Sequence, residues 1–106
     1  MIHELPLAER FGTFLAEGAL AAEFRLREIE PFFHTYDCIV LDFSGVRNVN
    51  SSFANALLVP LIEQHGSEAL GKLRFHGCNP IVRVMIEGAL ALGLQRAQEN
   101  GHAVTV

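Results

Sequence analysis

The triplet Asn50-Ser51-Ser52 contains two serine hydroxyls, which are candidate sites of phosphorylation. Asparagine and serine favour the N-cap of a helix, and apolar residues recur behind the triplet at helical spacing, which predicts that a helix begins there. A phosphate on Ser51 or Ser52 would meet the helix N-terminus, whose dipole favours negative charge. The alternative interpretation of Ser51 is a plain N-cap hydroxyl.

An enzyme has little support in the sequence. There is no Gly-x-Ser-x-Gly elbow, no Walker phosphate loop and no Gly-x-Gly-x-x-Gly. The histidines are scattered without an i, i+4 pair, so neither a metal site nor a cofactor is expected. Asp42 ends an apolar run, and we expect it to accept hydrogen bonds from amides of the turn around Gly45. A catalytic domain stays open only because Asp42 and Ser51 flank the same turn.

Composition restricts the classes of partner. The 106 residues are enough for one domain, and 8 basic against 12 acidic residues give a formal net charge of −4, which argues against binding nucleic acid through a basic face. No apolar run reaches the ~18 residues that span a bilayer, and no signal peptide is visible. Cys38 and Cys78 lack CxxC spacing and are interpreted as inert buried thiols in a reducing compartment. We therefore expect a cytoplasmic domain without a membrane partner.

The first third of the chain predicts one long helix. Residues 1–14 are weakly patterned and could form an edge strand or an arm. From Leu15, apolar residues recur at intervals of four and three, which predicts an amphipathic helix that Pro31 ends or kinks near Glu30. Its buried stripe should consist of Leu15, Ala19, Ala22, Leu26, Ile29 and Phe33.

Two strands and a helix are predicted next. Residues 38–43 contain four apolar residues in a row, which is typical of a strand covered on both faces. Residues 72–78 alternate between apolar and polar and predict a second, more exposed strand. The helix that begins near Ser51 should kink at Pro60, because the hydrogen bond back to Ala56 cannot form.

The remaining residues complete an alternating order of helices and strands. Asn79-Pro80 predicts a further helix that Asn100-Gly101 closes, and residues 103–106 could be a last short strand. Alternation of this kind indicates an α/β domain with a mainly parallel sheet and helices packed against it. The two predicted strands would then end at one edge of the sheet, and the helices near Ser51 and Pro80 would begin at one crevice.

The string Leu41-Asp42-Phe43-Ser44-Gly45-Val46, followed four residues later by Ser51-Ser52-Phe53-Ala54, resembles the STAS domain (sulphate transporter and anti-sigma factor antagonist). It is closer still to a bacterial STAS-like family of unknown function that carries Leu-Asp-Phe-x-Gly-Val followed by Ser-Phe-Ala-Asp. The good match covers about residues 37–62. The resemblance implies a single STAS-like domain over residues 1–106 with a motif-bearing core at about 37–97.

The resemblance also assigns positions. Ser51 occupies the site that STAS antagonists use for reversible phosphorylation, and Ser52 is its neighbour. Asn50 stands where the antagonists have Asp, and Phe53 stands where they have Gly. Asn55 replaces the last Asp of the STAS-like family's motif. Asparagine caps a helix about as well as aspartate, so the capping role is retained while two carboxylates are absent.

The function that the resemblance implies is a non-catalytic protein-interaction module in bacterial signalling or transcription regulation, switched by phosphorylation near Ser51. Its partner would be an anti-sigma factor or a histidine-kinase-like protein, and a homodimer is left open. The alternative is a sensor that binds a phosphorylated metabolite or nucleotide at the paired helix N-termini. The residues expected to form the interaction or ligand rim are Arg47, Asn48, Asn50, Phe53, Asn55 and Asn79, with Asp42 and Gly45 stabilising the turn.

Overall fold

Strands and helices are interspersed along residues 1–99, which are the residues that the computed structural model describes. The helix end predicted at Asn100-Gly101 and the strand predicted at residues 103–106 lie outside them. The elements are β1 (Ile2–Pro6), α1 (Leu7–Phe11), β2 (Phe14–Leu15), α2 (Gly18–Phe24), a π-helical turn (Arg25–Ile29), a 3-10 turn (Glu30–Phe32), β3 (Cys38–Asp42), β4 (Asn48–Val49), α3 (Ser51–His65), α4 (Ser67–Lys72), β5 (Leu73–His76) and α5 (Pro80–Glu99).

The main sheet has three parallel strands in the order β1-β3-β5. Leu41 of β3 pairs with Leu5 of β1 on one side and with Phe75 of β5 on the other. Residues 2–6 of the weakly patterned N-terminal segment thus form an edge strand. The predicted α/β class is confirmed, and so is the prediction that the strands around Leu41 and Phe75 are parallel neighbours.

The main sheet is covered by helices on one face. In β3, Ile39 and Leu41 are fully buried, whereas Val40 and the other alternating residues are half-buried. On the flanking strands, Glu4 and Arg74 lie beside Val40 and are exposed. The prediction that this strand is covered on both faces is wrong, because among residues 1–99 the helices pack against the Ile39 and Leu41 side only.

The predicted helix from Leu15 begins three residues late, and its predicted buried stripe is only partly buried. Leu15, Ile29 and Phe33 are buried as predicted, whereas Ala19 and Leu26 are exposed and Ala22 is half-buried. Leu15 belongs to β2, which pairs in parallel with β4, and α2 begins at Gly18. Leu26 is 58% exposed. Pairing with β4 keeps Leu15 extended, and the π-helical turn changes the 3.6-residue period on which the prediction relied. The helical run ends in the 3-10 turn that contains Pro31, as predicted. The residues that are buried in this stretch are Leu15, Ala21, Phe24, Arg25, Ile29 and Phe33.

Helix α3 is the centre of the helical layer. It runs through Pro60, and the Ala56 carbonyl that Pro60 leaves without an amide accepts a hydrogen bond from Nε of Arg25 at 3.0 Å. α5 packs closely on α3, since a Cβ at Gly93 would lie 2.7 Å from Cβ of Ile62. The apolar residues whose helical spacing behind Ser52 predicts this helix are buried, as such a stripe implies: Ala54, Leu57, Leu58, Leu61 and Ile62. Among residues 1–99, no helix has the length and apolar character to cross a membrane.

Candidate functional site

Two loops meet at the carboxyl end of the main sheet, and together we call them the loop rim (residues 43–50 and 77–79). The amide of Phe43 donates to the His76 carbonyl at 2.7 Å where β3 and β5 end. The Asn79 side chain crosses between the loops, because its Nδ2 donates to the Arg47 carbonyl at 3.0 Å and to the Val46 carbonyl at 3.3 Å. The predicted meeting of the two loops at one end of the sheet is therefore present.

The close approach of the two loops depends on Gly77. Its φ is +70°, a backbone conformation that residues with a Cβ rarely adopt. A Cβ at this position would also lie 2.8 Å from the Ser44 nitrogen. The sequence pattern placed Gly77 inside a strand and did not reveal this contact. A residue larger than glycine would push the two halves of the loop rim apart.

Asp42 stabilises the first turn of the loop rim. Its Oδ1 accepts a hydrogen bond from the Ser44 amide at 2.9 Å, which is the contact that the sequence predicts. The hydrogen bonds from Ser44 lower the pKa of Asp42 below its ordinary value. A carboxylate that is held ionised in this way is a weaker proton acceptor, and its hydrogen bonds are those of a turn-stabilising group. Gly45 takes the positive φ of +85° that completes the turn.

Asn50 is the N-cap of α3, and it has a second role. Its Oδ1 accepts from the Phe53 amide at 2.9 Å, and its Nδ2 donates to the Ala16 carbonyl at 2.9 Å. Asn50 thus ties the start of α3 to the segment that follows β2. The interpretation of Ser51 as the N-cap hydroxyl is wrong, because Asn50 supplies the capping oxygen and Ser51 is the first helical residue.

Asn79 repeats the arrangement at the start of α5. Its Oδ1 accepts from the Val82 amide at 2.8 Å, while its Nδ2 donates to the loop carbonyls described above. Both helices that begin at the loop rim are therefore capped by an asparagine that also donates to a neighbouring backbone segment. Aspartate could accept the first hydrogen bond but could not donate the second.

The two candidate phosphorylation sites are exposed. Neither hydroxyl makes a hydrogen bond within residues 1–99. Ser52 lies beside the start of α2, since a Cβ at Gly18 would come within 2.7 Å of its Oγ. Ser51, also exposed, is the first helical residue of α3.

The other predicted rim residues divide into two groups. Arg47 and Asn48 are exposed on the loop and on β4, and Asn55 is half-buried in the second turn of α3. Phe53 is only 1% exposed and packs edge-on against Phe11, with ring centroids 5.2 Å apart. Its place in the rim was wrong, because residue 53 lies one helical turn before the buried Leu57 and shares its face.

Exposed apolar side chains border the loop rim on α5. Ile81 is 53% exposed and Val84 is 63% exposed, in the first two turns after Asn79. No motif in the sequence marks these two residues, although their i, i+3 spacing places them together on one side of the helix. Apolar side chains beside a polar border are typical of surfaces that contact another protein.

A cavity of about 360 Å³ opens between β5 and α5. Its lining includes Arg83 and the half-buried Cys78, and burial raises the pKa of the Cys78 thiol. Cys38 is also half-buried and lies at the opposite end of the sheet, so the prediction of buried thiols overstates their burial. Among residues 1–99, no group of His, Cys, Asp and Glu side chains could hold a metal ion.

Comparison with known proteins gives one family. A family model described as a STAS-like domain of unknown function matches residues 21–83, which is more than half of the chain. The matched segment contains β3, the turn after it, α3 and β5, and it ends just inside α5. No curated protein and no solved structure gives a match.

Proposed function

The chain belongs to the family of STAS-like domains of unknown function, and we propose that it is a non-catalytic protein-interaction module of bacterial cytoplasmic signalling, similar to the anti-sigma factor antagonists. The observation that carries the proposal is the surface at the carboxyl end of the sheet. It combines exposed apolar residues, Ile81 and Val84, with the polar loop rim and the free hydroxyl of Ser51.

The chemistry of this surface suits a protein partner. Protein interfaces have an apolar centre surrounded by polar groups, and Ile81 and Val84 would supply such a centre beside Asn79 and Arg47. Arg47 is exposed and has no ion pair within residues 1–99, so it is available to an acidic group of the partner. The partner implied by the family resemblance is an anti-sigma factor or a histidine-kinase-like protein.

Phosphorylation of Ser51 would change this surface without unfolding it. The hydroxyl is exposed at the first residue of the 15-residue helix α3, where the helix dipole favours added negative charge. The N-cap hydrogen bond belongs to Asn50 and does not use the Ser51 hydroxyl. A phosphate adds about −1.5 to −2 charges at pH 7, which would repel an acidic partner surface and attract a basic one.

The test is calorimetric binding of variants to a partner recovered by pull-down and then purified. Ser51→Ala should retain the wild-type affinity within about threefold, whereas Ser51→Glu should weaken binding by about a hundredfold or more, because a desolvated charge at an interface costs several kcal/mol. Ser67→Glu is the matched control, since Ser67 is exposed at the first residue of α4. It should bind like wild type. Val84→Asp should abolish binding.

Two results would count against the proposal. Equal affinities of Ser51→Ala and Ser51→Glu would remove the phosphorylation switch. Unchanged binding by Val84→Asp would remove the surface beside α5 as the contact.

A second candidate function rests on the cavity beside α5. Arg83 lies in its wall and could pair with an anionic ligand, although the carboxylate of Glu87 lies in the same wall. The residues that line this cavity come from β5, the following loop and α5. The start of α3 does not line it, so the cavity differs from the predicted ligand site at the two helix N-termini. Thermal-shift screening with nucleotides and sugar phosphates tests it. A ligand should raise the melting temperature of the wild type but not of Arg83→Gln, and the absence of any shift at millimolar concentration would exclude this candidate.

A further inference from the structure

The main sheet has an open face that helices among residues 1–99 do not cover. Its side chains alternate with the buried ones and include Ile2, Val40 and His76, and Ile2 is 66% exposed. A shallow depression of about 540 Å³ runs over these residues. Parallel sheets occur almost only with both faces covered, so the physical question is what covers this one.

The charges on the open face form a row across the strands. Glu4 of β1 and Arg74 of β5 are both aligned with Val40 of β3. Two strand spacings of about 4.8 Å separate them, and neither has an ion pair within residues 1–99. Nη1 of Arg74 donates to the backbone carbonyls of Gly71 and Leu73 at 2.9 Å, and its other guanidinium nitrogens make no hydrogen bond within residues 1–99.

We propose that a second copy of this chain covers the open face, in a symmetric dimer whose two-fold axis runs along the strands between the two sheets. This rotation places β1 of each copy opposite β5 of the other. Because Glu4, Val40 and Arg74 are aligned, Glu4 of each copy then faces Arg74 of the other, and Val40 packs against Val40. The interface gains two ion pairs around an apolar centre.

The charge pattern selects this axis over the alternative. A two-fold axis across the strands would place β1 opposite β1, so Glu4 would face Glu4 and Arg74 would face Arg74. The proposed axis brings only the Asp42 carboxylates opposite each other. These are short side chains on sheets about 10 Å apart, a distance near the Debye length at which repulsion between them is largely screened, and each accepts a hydrogen bond from Ser44.

The size of the face predicts a weak dimer. Three strands of about five residues form a face of roughly 15 by 16 Å, which is well below the ~800 Å² per partner of a standard interface. We therefore expect dimerisation at protein concentrations on the order of 0.1–1 mM. Since the axis follows the strands, both loop rims would lie at the same end of the dimer.

The test is sedimentation equilibrium of the full chain and of charge-reversed variants, which measures the dissociation constant of the dimer. The protein concentrations run from about 0.01 to 1 mM, so that they include the expected dissociation constant. Glu4→Arg and Arg74→Glu should each raise the dissociation constant about tenfold, because each variant turns two attractive pairs into repulsive ones. The double variant should return to within about threefold of wild type. Ile2→Lys should also weaken the dimer, while Val84→Lys, a similarly exposed position on α5, should have no effect.

Three outcomes would overturn the proposal. A wild-type chain that stays monomeric throughout the range would exclude the dimer. Failure of the double variant to restore association, with both single variants folded by circular dichroism, would exclude this axis and leave pairing along the edge of β1 as the explanation of any dimer. Loss of association in Val84→Lys but not in Ile2→Lys would move the interface to α5.

Discussion

Replacing Asn50 with aspartate is expected to destabilise the domain, although aspartate caps a helix about as well as asparagine. Asn50 uses both halves of its amide group: Oδ1 accepts from the Phe53 amide, and Nδ2 donates to the Ala16 carbonyl. A carboxylate can replace the first contact. It cannot replace the second, because it has no proton to donate and would place an oxygen against the Ala16 carbonyl oxygen.

The expected magnitude follows from these two contacts. Leaving the half-buried Ala16 carbonyl without its donor costs about 1–3 kcal/mol. Negative charge at the start of α3 offsets about 0.3–1 kcal/mol of this through the helix dipole. We therefore expect Asn50→Asp to lower the free energy of unfolding by about 1–2 kcal/mol, which corresponds to a fall in Tm of roughly 5–10 °C for a domain of this size.

Urea unfolding followed by circular dichroism at pH 7 measures the effect. Asn48→Asp is the matched control, since it adds the same charge on β4 at an exposed side chain that makes no hydrogen bond within residues 1–99. Asn79→Asp should resemble Asn50→Asp, because Asn79 has the same pair of roles. An Asn50→Asp variant as stable as Asn48→Asp would refute the argument that the Ala16 contact requires an amide.

Three further variants test other contacts by the same unfolding measurement. Gly77→Ala should destabilise the domain by about 1–3 kcal/mol, because Gly77 has a positive φ and its new Cβ would collide with the backbone of Ser44. Gly88→Ala is the control and should not destabilise the domain, because a Cβ there meets nothing within 4 Å. Arg25→Met should cost about 3 kcal/mol, because it leaves both the Ala56 carbonyl and the Glu30 carboxylate without the guanidinium. The pKa of Asp42 is lowered by its hydrogen bonds with Ser44, so its contribution is present above its ordinary value of 3.8 and is lost as the pH falls through its folded-state pKa. Asp42→Asn should therefore be less stable than wild type at pH 7, and the difference should narrow toward pH 3, about one unit below that value.

The sequence predicted the parts of the fold that rest on long periodic segments. The stripe from Ala54 to Ile62 extends over several helical turns, so its helical period is clear. The apolar run in β3 has no period, and it predicted a strand through its length and its β-branched residues. β2 and β4 are two residues each, which is too short for any period to show, and they exist because the Asn50 amide and the Arg47 amide donate to the carbonyls of Leu15 and Thr13. Such pairings depend on tertiary structure.

The same distinction applies to the candidate site. The capping positions of Asn50 and Asn79 follow from local sequence, because an N-cap contacts an amide three residues ahead. Their second contacts reach residues 34 and 32 positions away, and no local pattern encodes them. Phe53 was assigned to the rim by alignment with a glycine of the antagonists, but its spacing from Leu57 already favoured the core.

The arrangement of the loop rim restricts how the proposed switch can work. Gly77, Asn50 and Asn79 hold the rim through backbone contacts and caps in which the Ser51 hydroxyl takes no part. A phosphate on Ser51 would therefore find no hydrogen bond of that hydroxyl to break within residues 1–99, and the helix dipole would favour its charge. A modification shifts a protein between two conformations only if it interacts differently with each of them. The contacts of the loop rim do not involve the Ser51 hydroxyl, so they provide no such difference. The proposed switch would then act on the partner through charge alone, so its strength should fall as salt screens that charge.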